Sequence, residues 1–238
     1  MRVLVTRPQP AAKRTARVLR ERGHDALLAP LMSIEPIAEA RIGARPWSAI
    51  VFTSANAVHG IAAHQAQAEL LRVPVFTVGA RTAAAARVCG FRNVQSADGD
   101  VAALVNLIAE SEIDRTRPIL YLAGEERARD LAELLAPHGL NIETVLIYRA
   151  VVIGSLPRES RDALADGAID AVLHFSGRSA RAFVAALDHA GLRAQGLGLR
   201  HLCLSAEIAR PLIAAGARRV TIAARPDQHA LLDLLNHP

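Results

Sequence analysis

Aromatic side chains make up only 3% of this 238-residue chain, which also has just two cysteines, one tryptophan and a single lysine, Lys13. So few rings leave little for nucleic-acid bases to stack on, and the basic surplus is scattered over many segments, so a nucleic acid is not the expected partner. Cys89 and Cys203 stand in unlike surroundings without metal-ligand spacing. Neither a disulfide framework nor a bound metal is expected, and a reducing cytoplasm is the matching compartment. Schiff-base chemistry would rest on one exposed lysine. No apolar run approaches the roughly 18 residues of a membrane span. Met1 leads straight into Arg2-Val3-Leu4-Val5-Thr6 without a basic and apolar leader, so neither membrane insertion nor secretion is expected.

What the chain does contain is ordinary globular material, 51% hydrophobic and 21% charged, with a formal net charge of +5. At about 100 to 200 residues per domain, the length fits one large domain or two small ones. The positive charge is nearly all arginine, which stays ionised and forms paired bonds to carboxylates and phosphates. A small acidic ligand suits that charge better than DNA.

Short β-branched or apolar runs alternate with helical stretches rich in Ala, Leu and Arg. Strands are predicted at 3–6, 25–29, 49–53, 75–78, 93–96, 119–122, 142–148, 171–175, 201–204 and 220–223, an alternation that specifies parallel sheets covered by helices. That many strands overfill one compact sheet, whereas two sheets of about five match common sizes. Self-similarity decides how they are shared. Val3-Leu4-Val5, a helix and Gly23-His24-Asp25 find a counterpart in Leu120-Tyr121, a helix and Gly139-Leu140-Asn141. Phe52-Thr53-Ser54-Ala55-Asn56-Ala57 resembles Phe175-Ser176-Gly177-Arg178-Ser179-Ala180, and the helix ending at Gly90 resembles the one ending at Gly216. The same parts occur in each half in rotated order.

The expected architecture is therefore α/β, with two parallel-sheet domains, one inserted into the other. Residues 1–35 and 155–238 form a discontinuous domain and 41–148 the inserted one. Two extended crossings, 32–40 with Pro36 and 149–156 before Pro157, pair as a two-stranded hinge beside which a cleft opens.

Loops leaving the carboxyl ends of parallel strands carry ligands, because helix N-termini present free amides and the positive dipole end there. Here they are Thr6-Arg7-Pro8, Thr53-Ser54-Ala55-Asn56, Val78-Gly79-Ala80-Arg81-Thr82, Ala123-Gly124-Glu125, Phe175-Ser176-Gly177-Arg178-Ser179 and Leu204-Ser205-Ala206. Any one of them alone reads as a helix cap contributing about 1 kcal/mol; repeated in both halves, they read as several anion pockets facing one cleft. There is no G-x-x-x-x-G-K-[ST], and Gly196-Leu197-Gly198 precedes a strand, the reverse of a dinucleotide fingerprint. Histidines such as His24, His59, His64, His138, His201 and His237 show no H-E-x-x-H; His174, at a predicted sheet end, is held in reserve. Ser54 and Ser176 lack a G-x-S-x-G elbow, and Cys203 reads as core. Tyr148 stands where the inserted segment returns to the hinge, and a phenol there is either an amphipathic strand-end residue or a neutral donor to a leaving oxygen.

Val5-Thr6-Arg7-Pro8, Phe52 through Val58, Val78-Gly79-Ala80-Arg81-Thr82-Ala83, Leu122-Ala123-Gly124, Ile147-Tyr148-Arg149 and Ala224-Arg225-Pro226-Asp227 together resemble the uroporphyrinogen-III synthases, in order and spacing from end to end. The resemblance implies two flavodoxin-like domains joined by a two-stranded ladder and a cofactor-free cyclising lyase. Such an enzyme takes linear hydroxymethylbilane, expels its terminal hydroxyl as water and closes the ring with the last pyrrole inverted. The resemblance further implies that Tyr148 donates a hydrogen bond to the departing hydroxyl, and that the carboxylate-holding positions are Thr53, Ser54, Asn56, Gly79, Ala80, Thr82, Ser176, Gly177, Arg178, Ser205 and Ala206. Thr6, Arg7 and Gly124 complete the expected substrate-binding set. Ser176-Gly177-Arg178-Ser179 and Leu204-Ser205-Ala206-Glu207 depart from the family's Thr-Ser-Pro and Gly-x-x-Thr-Ala patterns, and Glu207 is placed to repel an anion. A monomer is expected, with substrate handed over transiently by the preceding pathway enzyme. The alternative is a non-catalytic two-domain module closing on a small polycarboxylate. A DNA-linked sensor ranks last, since it needs a basic helix-turn-helix beyond Pro238.

Overall fold

Isoleucine, valine and leucine crowd the central runs between helices, and a strand buried on both faces needs that composition. In the computed structural model, which describes residues 1–125 and 131–236, these runs form eleven strands among the described residues; His237 lies outside them. The first part of the chain runs β1 (Arg2–Val5), α1 (Ala11–Glu21), β2 (Asp25–Leu28), β3 (Met32–Pro36), β4 (Ala49–Phe52), α2 (Ala55–Ala62), α3 (Gln67–Leu70), β5 (Val75–Thr77), α4 (Ala80–Val88), β6 (Val94–Ser96), α5 (Val101–Ala109) and β7 (Ile119–Gly124). It continues as α6 (Leu131–Leu135), β8 (Ile142–Val152), α7 (Arg158–Ala165), β9 (Ala171–His174), α8 (Gly177–Ala190), α9 (Arg193–Leu197), β10 (Arg200–Cys203), α10 (Ala206–Ala215), β11 (Val220–Ile222) and α11 (Gln228–Asp233). Contacts divide the chain into two compact units, Met1–Ser33 with Val151–Pro238, and Ile34–Ala150.

The first unit holds a five-stranded sheet in the order β11-β10-β9-β1-β2, parallel throughout. Val3, Val5, Leu173 and Leu202 pack there against Ala16 and Leu19 of α1 and Leu231 and Leu232 of α11. The second unit holds the order β3-β8-β7-β4-β5-β6, in which β4 to β8 are mutually parallel. At its edge the N–H of Ile37 donates to the carbonyl of Ile147, and the N–H of Ile153 to that of Leu31, both at 2.9 Å. This crossed register is antiparallel, so the second sheet is mixed. The stretch read as a strand at 142–148 and a separate crossing at 149–156 is continuous as β8 to Val152; no glycine or proline interrupts it before Gly154.

Taken from corresponding edges, β2-β1-β9-β10-β11 and β8-β7-β4-β5-β6 match place for place, so the rotation seen in the repeats is also a rotation of topology. The paired glycines behave alike. Gly23 (φ 78°) and Gly139 (φ 69°) turn the chain into β2 and β8, and Gly90 (φ 96°) and Gly216 (φ 104°) close α4 and α10, a left-handed backbone that glycine adopts without strain.

Candidate active site

In the second unit the carboxyl ends of β4, β5, β7 and the middle of β8 bring together residues far apart in sequence. After β4 the chain passes Thr53 and enters α2 through Ser54, whose extended backbone (φ −145°) lets its side chain accept from the N–H of Asn56 at 3.2 Å. The Thr53 hydroxyl lies 3.0 Å from the phenol oxygen of Tyr121, a buried residue of β7. After β5, α4 starts at Gly79 with no side-chain cap. The N–H of Thr82 turns back to the Gly79 carbonyl at 3.0 Å, while those of Ala80 and Arg81 have no acceptor within the helix. A Cβ on Gly79 would meet nothing within 4 Å. Thr82 is buried and Ala80 exposed.

Tyr148 is half-buried on the core formed by Phe52, Ile61, Leu122 and Ile147. Its ring covers the backbone of Gly124, where an added Cβ would lie 2.4 Å from Tyr148 Cζ. The phenol has no hydrogen-bond partner among the described residues. Among the described residues, an O–H donor therefore stands unengaged on the same face of the sheet as α2.

In the first unit, Thr6 is fully buried and its hydroxyl donates to the carbonyl of Leu173 at 2.9 Å. The Arg7 guanidinium lies over the Phe175 ring, 4.0 Å from its centroid, and donates to Gln228 Oε1 at 3.0 Å and Thr15 Oγ1 at 3.2 Å. Ser176 caps α8, accepting from the N–H of Ser179 at 3.1 Å while its hydroxyl donates to Ser179 Oγ at 2.9 Å. Gly177 and Arg178 form the first turn of that helix. Ser205 caps α10, accepting from the N–H of Ile208 at 3.4 Å, with Ala206 and Glu207 exposed in its first turn. The three serines thus serve as caps, while the amides beside them form the positive ends of helices.

His174, held in reserve, is a core residue. It is fully buried, with its Nε2 3.1 Å from His201 Nδ1 and its ring edge-on to Phe183. Burial, and then the neighbouring His201, push it well below the usual histidine range, and burial takes His201 to about 4. Both are neutral near pH 7. Among the described residues no group of three or more His, Cys, Asp or Glu could hold a metal ion, and no helix is long and apolar enough to cross a membrane.

Three contributors escaped the sequence reading. Tyr121 looked like a strand residue, and Gln228 is distant in sequence from the Arg7 it holds. Gly60 of α2, whose missing Cβ lets the Ile147 carbonyl come close, left a signal, because a glycine inside a helical run carries a penalty and so calls for a packing reason.

Two doubly wound α/β units, each with capped helix starts beyond its strand ends, place the chain in the class of α/β proteins whose ligands as a rule meet the carboxyl edge of the strands. The chain belongs to the uroporphyrinogen-III synthase family: a family model described as Uroporphyrinogen-III synthase HemD matches residues 13–233. The crystal structure of uroporphyrinogen-III synthetase from Helicobacter pylori shares the fold, with a TM-score of 0.63 at 18% identity over 99% of both chains. A mutant uroporphyrinogen III synthase from the extremely thermophilic bacterium Thermus thermophilus matches with a TM-score of 0.49 at 18% identity, over 99% of this chain and 97% of that one. No curated protein matches the chain significantly.

Proposed function

We propose that Tyr148 is the group that assists departure of the hydroxyl when this cyclising lyase closes hydroxymethylbilane to uroporphyrinogen III. The observation that carries the assignment is the phenol without a hydrogen-bond partner among the described residues, on the face of its sheet that bears α2. The reaction needs no strong acid, because the electron-rich pyrrole itself expels the hydroxyl. A hydrogen bond from the phenol to that oxygen stabilises the charge developing as the C–O bond breaks; the hydroxyl takes the proton released from the N–H of the same pyrrole and leaves as water, and the ring is left as a neutral azafulvene. Ring closure at the inner carbon of the last pyrrole, through a spiro intermediate, then sets the inversion. The protein's task is to hold the azafulvene and that carbon in register, and positioning of this kind supplies several kcal/mol.

The substrate's carboxylates suit the helix starts. In our reading Thr53, Ser54, Asn56, Gly79, Ala80 and Thr82 hold carboxylates in the inserted unit, mainly through backbone N–H groups. Ser176, Gly177, Arg178, Ser205 and Ala206 do so in the other unit. Arg7, braced by Gln228 and Phe175, adds charge; Thr6 contributes through its backbone, since its hydroxyl is engaged. The working form is a monomer in a reducing cytoplasm that receives the unstable bilane from the enzyme that makes it.

Product analysis tests the assignment. Freshly made hydroxymethylbilane is expected to give mostly the III isomer, and formation of the symmetric I isomer alone rejects the cyclase reading. Tyr148→Phe is expected to lower turnover on the order of 100-fold with an unchanged melting curve; wild-type turnover removes the donor role. Ligand capture without any turnover would favour the binding module instead.

A further inference from the structure

Tyr148 lies on a face of its sheet where regular alternation would not put it. Along β7, Leu120 and Leu122 pack into one core, while Ile119, Tyr121 and Ala123 pack into the other, the period of two that an extended strand imposes. On β8, Val145 and Ile147 belong to the first core, so an unbroken strand would turn residue 148 toward the second. The register jumps instead. Ala123 pairs with Leu146, but Gly124 pairs with Tyr148, leaving Ile147 as the extra residue of a β-bulge. A one-residue slip transfers a side chain to the opposite face, and Tyr148 packs on the same core as Ile147.

On that face the phenol meets Gly124, next after Leu120 and Leu122 in the alternation. An added Cβ there would stand 2.4 Å from Tyr148 Cζ, 2.6 Å from its hydroxyl oxygen and 2.8 Å from Cε2. The bulge has its own glycine. A Cβ on Gly60 of α2 would stand 2.8 Å from the Ile147 carbonyl oxygen and 3.3 Å from two of its side-chain carbons. That carbonyl already accepts from the N–H of Ile37 at 2.9 Å, so it has little freedom to retreat. Glycine inside a helix is less favourable than alanine, and here the missing methyl makes room for the bulge.

We propose that Gly124 is a positioning residue for Tyr148, a side-chain-free shelf that, with the bulge admitted by Gly60, holds the phenol in its working place. The inference rests on the donor role assigned to Tyr148 above, and it gives Gly124 a task other than touching substrate. Because an alanine methyl would meet the tip of a ring that can swing away, Gly124→Ala displaces the phenol and leaves the backbone in place.

The test compares Gly124→Ala, Tyr148→Phe and the double variant, measuring kcat, KM and isomer ratio with fresh hydroxymethylbilane. Gly124→Ala is expected to lose kcat on the order of 100-fold with KM little changed, and the double variant to be no slower than Tyr148→Phe alone. Wild-type kcat, losses that multiply in the double variant, or a loss confined to KM would overturn the proposal. The chain has two tyrosines, so 13C-labelled tyrosine gives one signal for each. Gly124→Ala should move that of Tyr148 and leave that of Tyr121, and an unmoved Tyr148 signal defeats the shelf. If Tyr148→Phe keeps full turnover, the donor role falls and this signal alone decides the shelf. If Gly124→Ala fails to fold, Gly124→Ala/Tyr148→Ala decides: recovery of a cooperative melt supports the shelf, and continued failure rejects it.

Discussion

His201 and His174 show how a single side chain can set a condition on the whole first unit. Burial holds His201 at about 4, whereas the unfolded chain titrates near 6.5. Between those values the unfolded chain binds more protons, so stability is full above about pH 6.5 and falls as the pH drops toward 4, by roughly 3 kcal/mol for this ring. His174, lowered further by burial and by His201, acts in the same direction. Melting followed by circular dichroism should show this acid-side loss, and His201→Gln should flatten it; an unchanged slope would mean that the ring takes up its proton as readily in the folded chain as in the unfolded one. At this scale the sequence was partly legible. Ser54, Ser176 and Ser205 announced themselves as caps by position. The His174–His201 contact did not, because it depends on two strands adjacent in the sheet but 27 residues apart.

Among the helices, α4 differs from α2, α8 and α10 in beginning at a glycine with no side chain to occupy its first amides. Gly79 has an extended backbone (φ −153°) and open space where a Cβ would go, so any residue fits there sterically. Gly79→Asp should therefore stabilise the fold by about 0.5 kcal/mol through capping and the helix dipole. The same carboxylate would occupy the amides we assign to substrate. KM should rise several-fold while the melting temperature rises; an unaltered KM would show that α4 holds no carboxylate. The strands were readable from their β-branched runs, whereas the bulge at Ile147 was not, because register depends on what the neighbouring strand and α2 can accommodate.

For the molecule as a whole, a formal net charge of +5 and a sequence pI near 10.2 favour encounter with a polyanion, and such attraction is screened as salt rises. KM for the bilane should climb with ionic strength while kcat holds, and a flat response would argue against capture by charge. The rotated repeat made two sheets, one inserted into the other, legible in the sequence, since both halves reuse the same strand-helix pieces; the order of strands within each sheet was not. The pairing of the two crossings was legible too, but not that it joins the second sheet as an antiparallel edge, as a crossing segment carries no alternation of its own. That edge also has a thermodynamic side. The chain departs and comes back through neighbours, Leu31 beside Ile153 and Ile37 beside Ile147. To the host sheet, a whole folded unit is therefore equivalent to a long hairpin loop. The entropy of closing such a loop grows only logarithmically, about 0.6 kcal/mol per doubling of length, and a guest whose own ends are already fastened side by side removes much of even that.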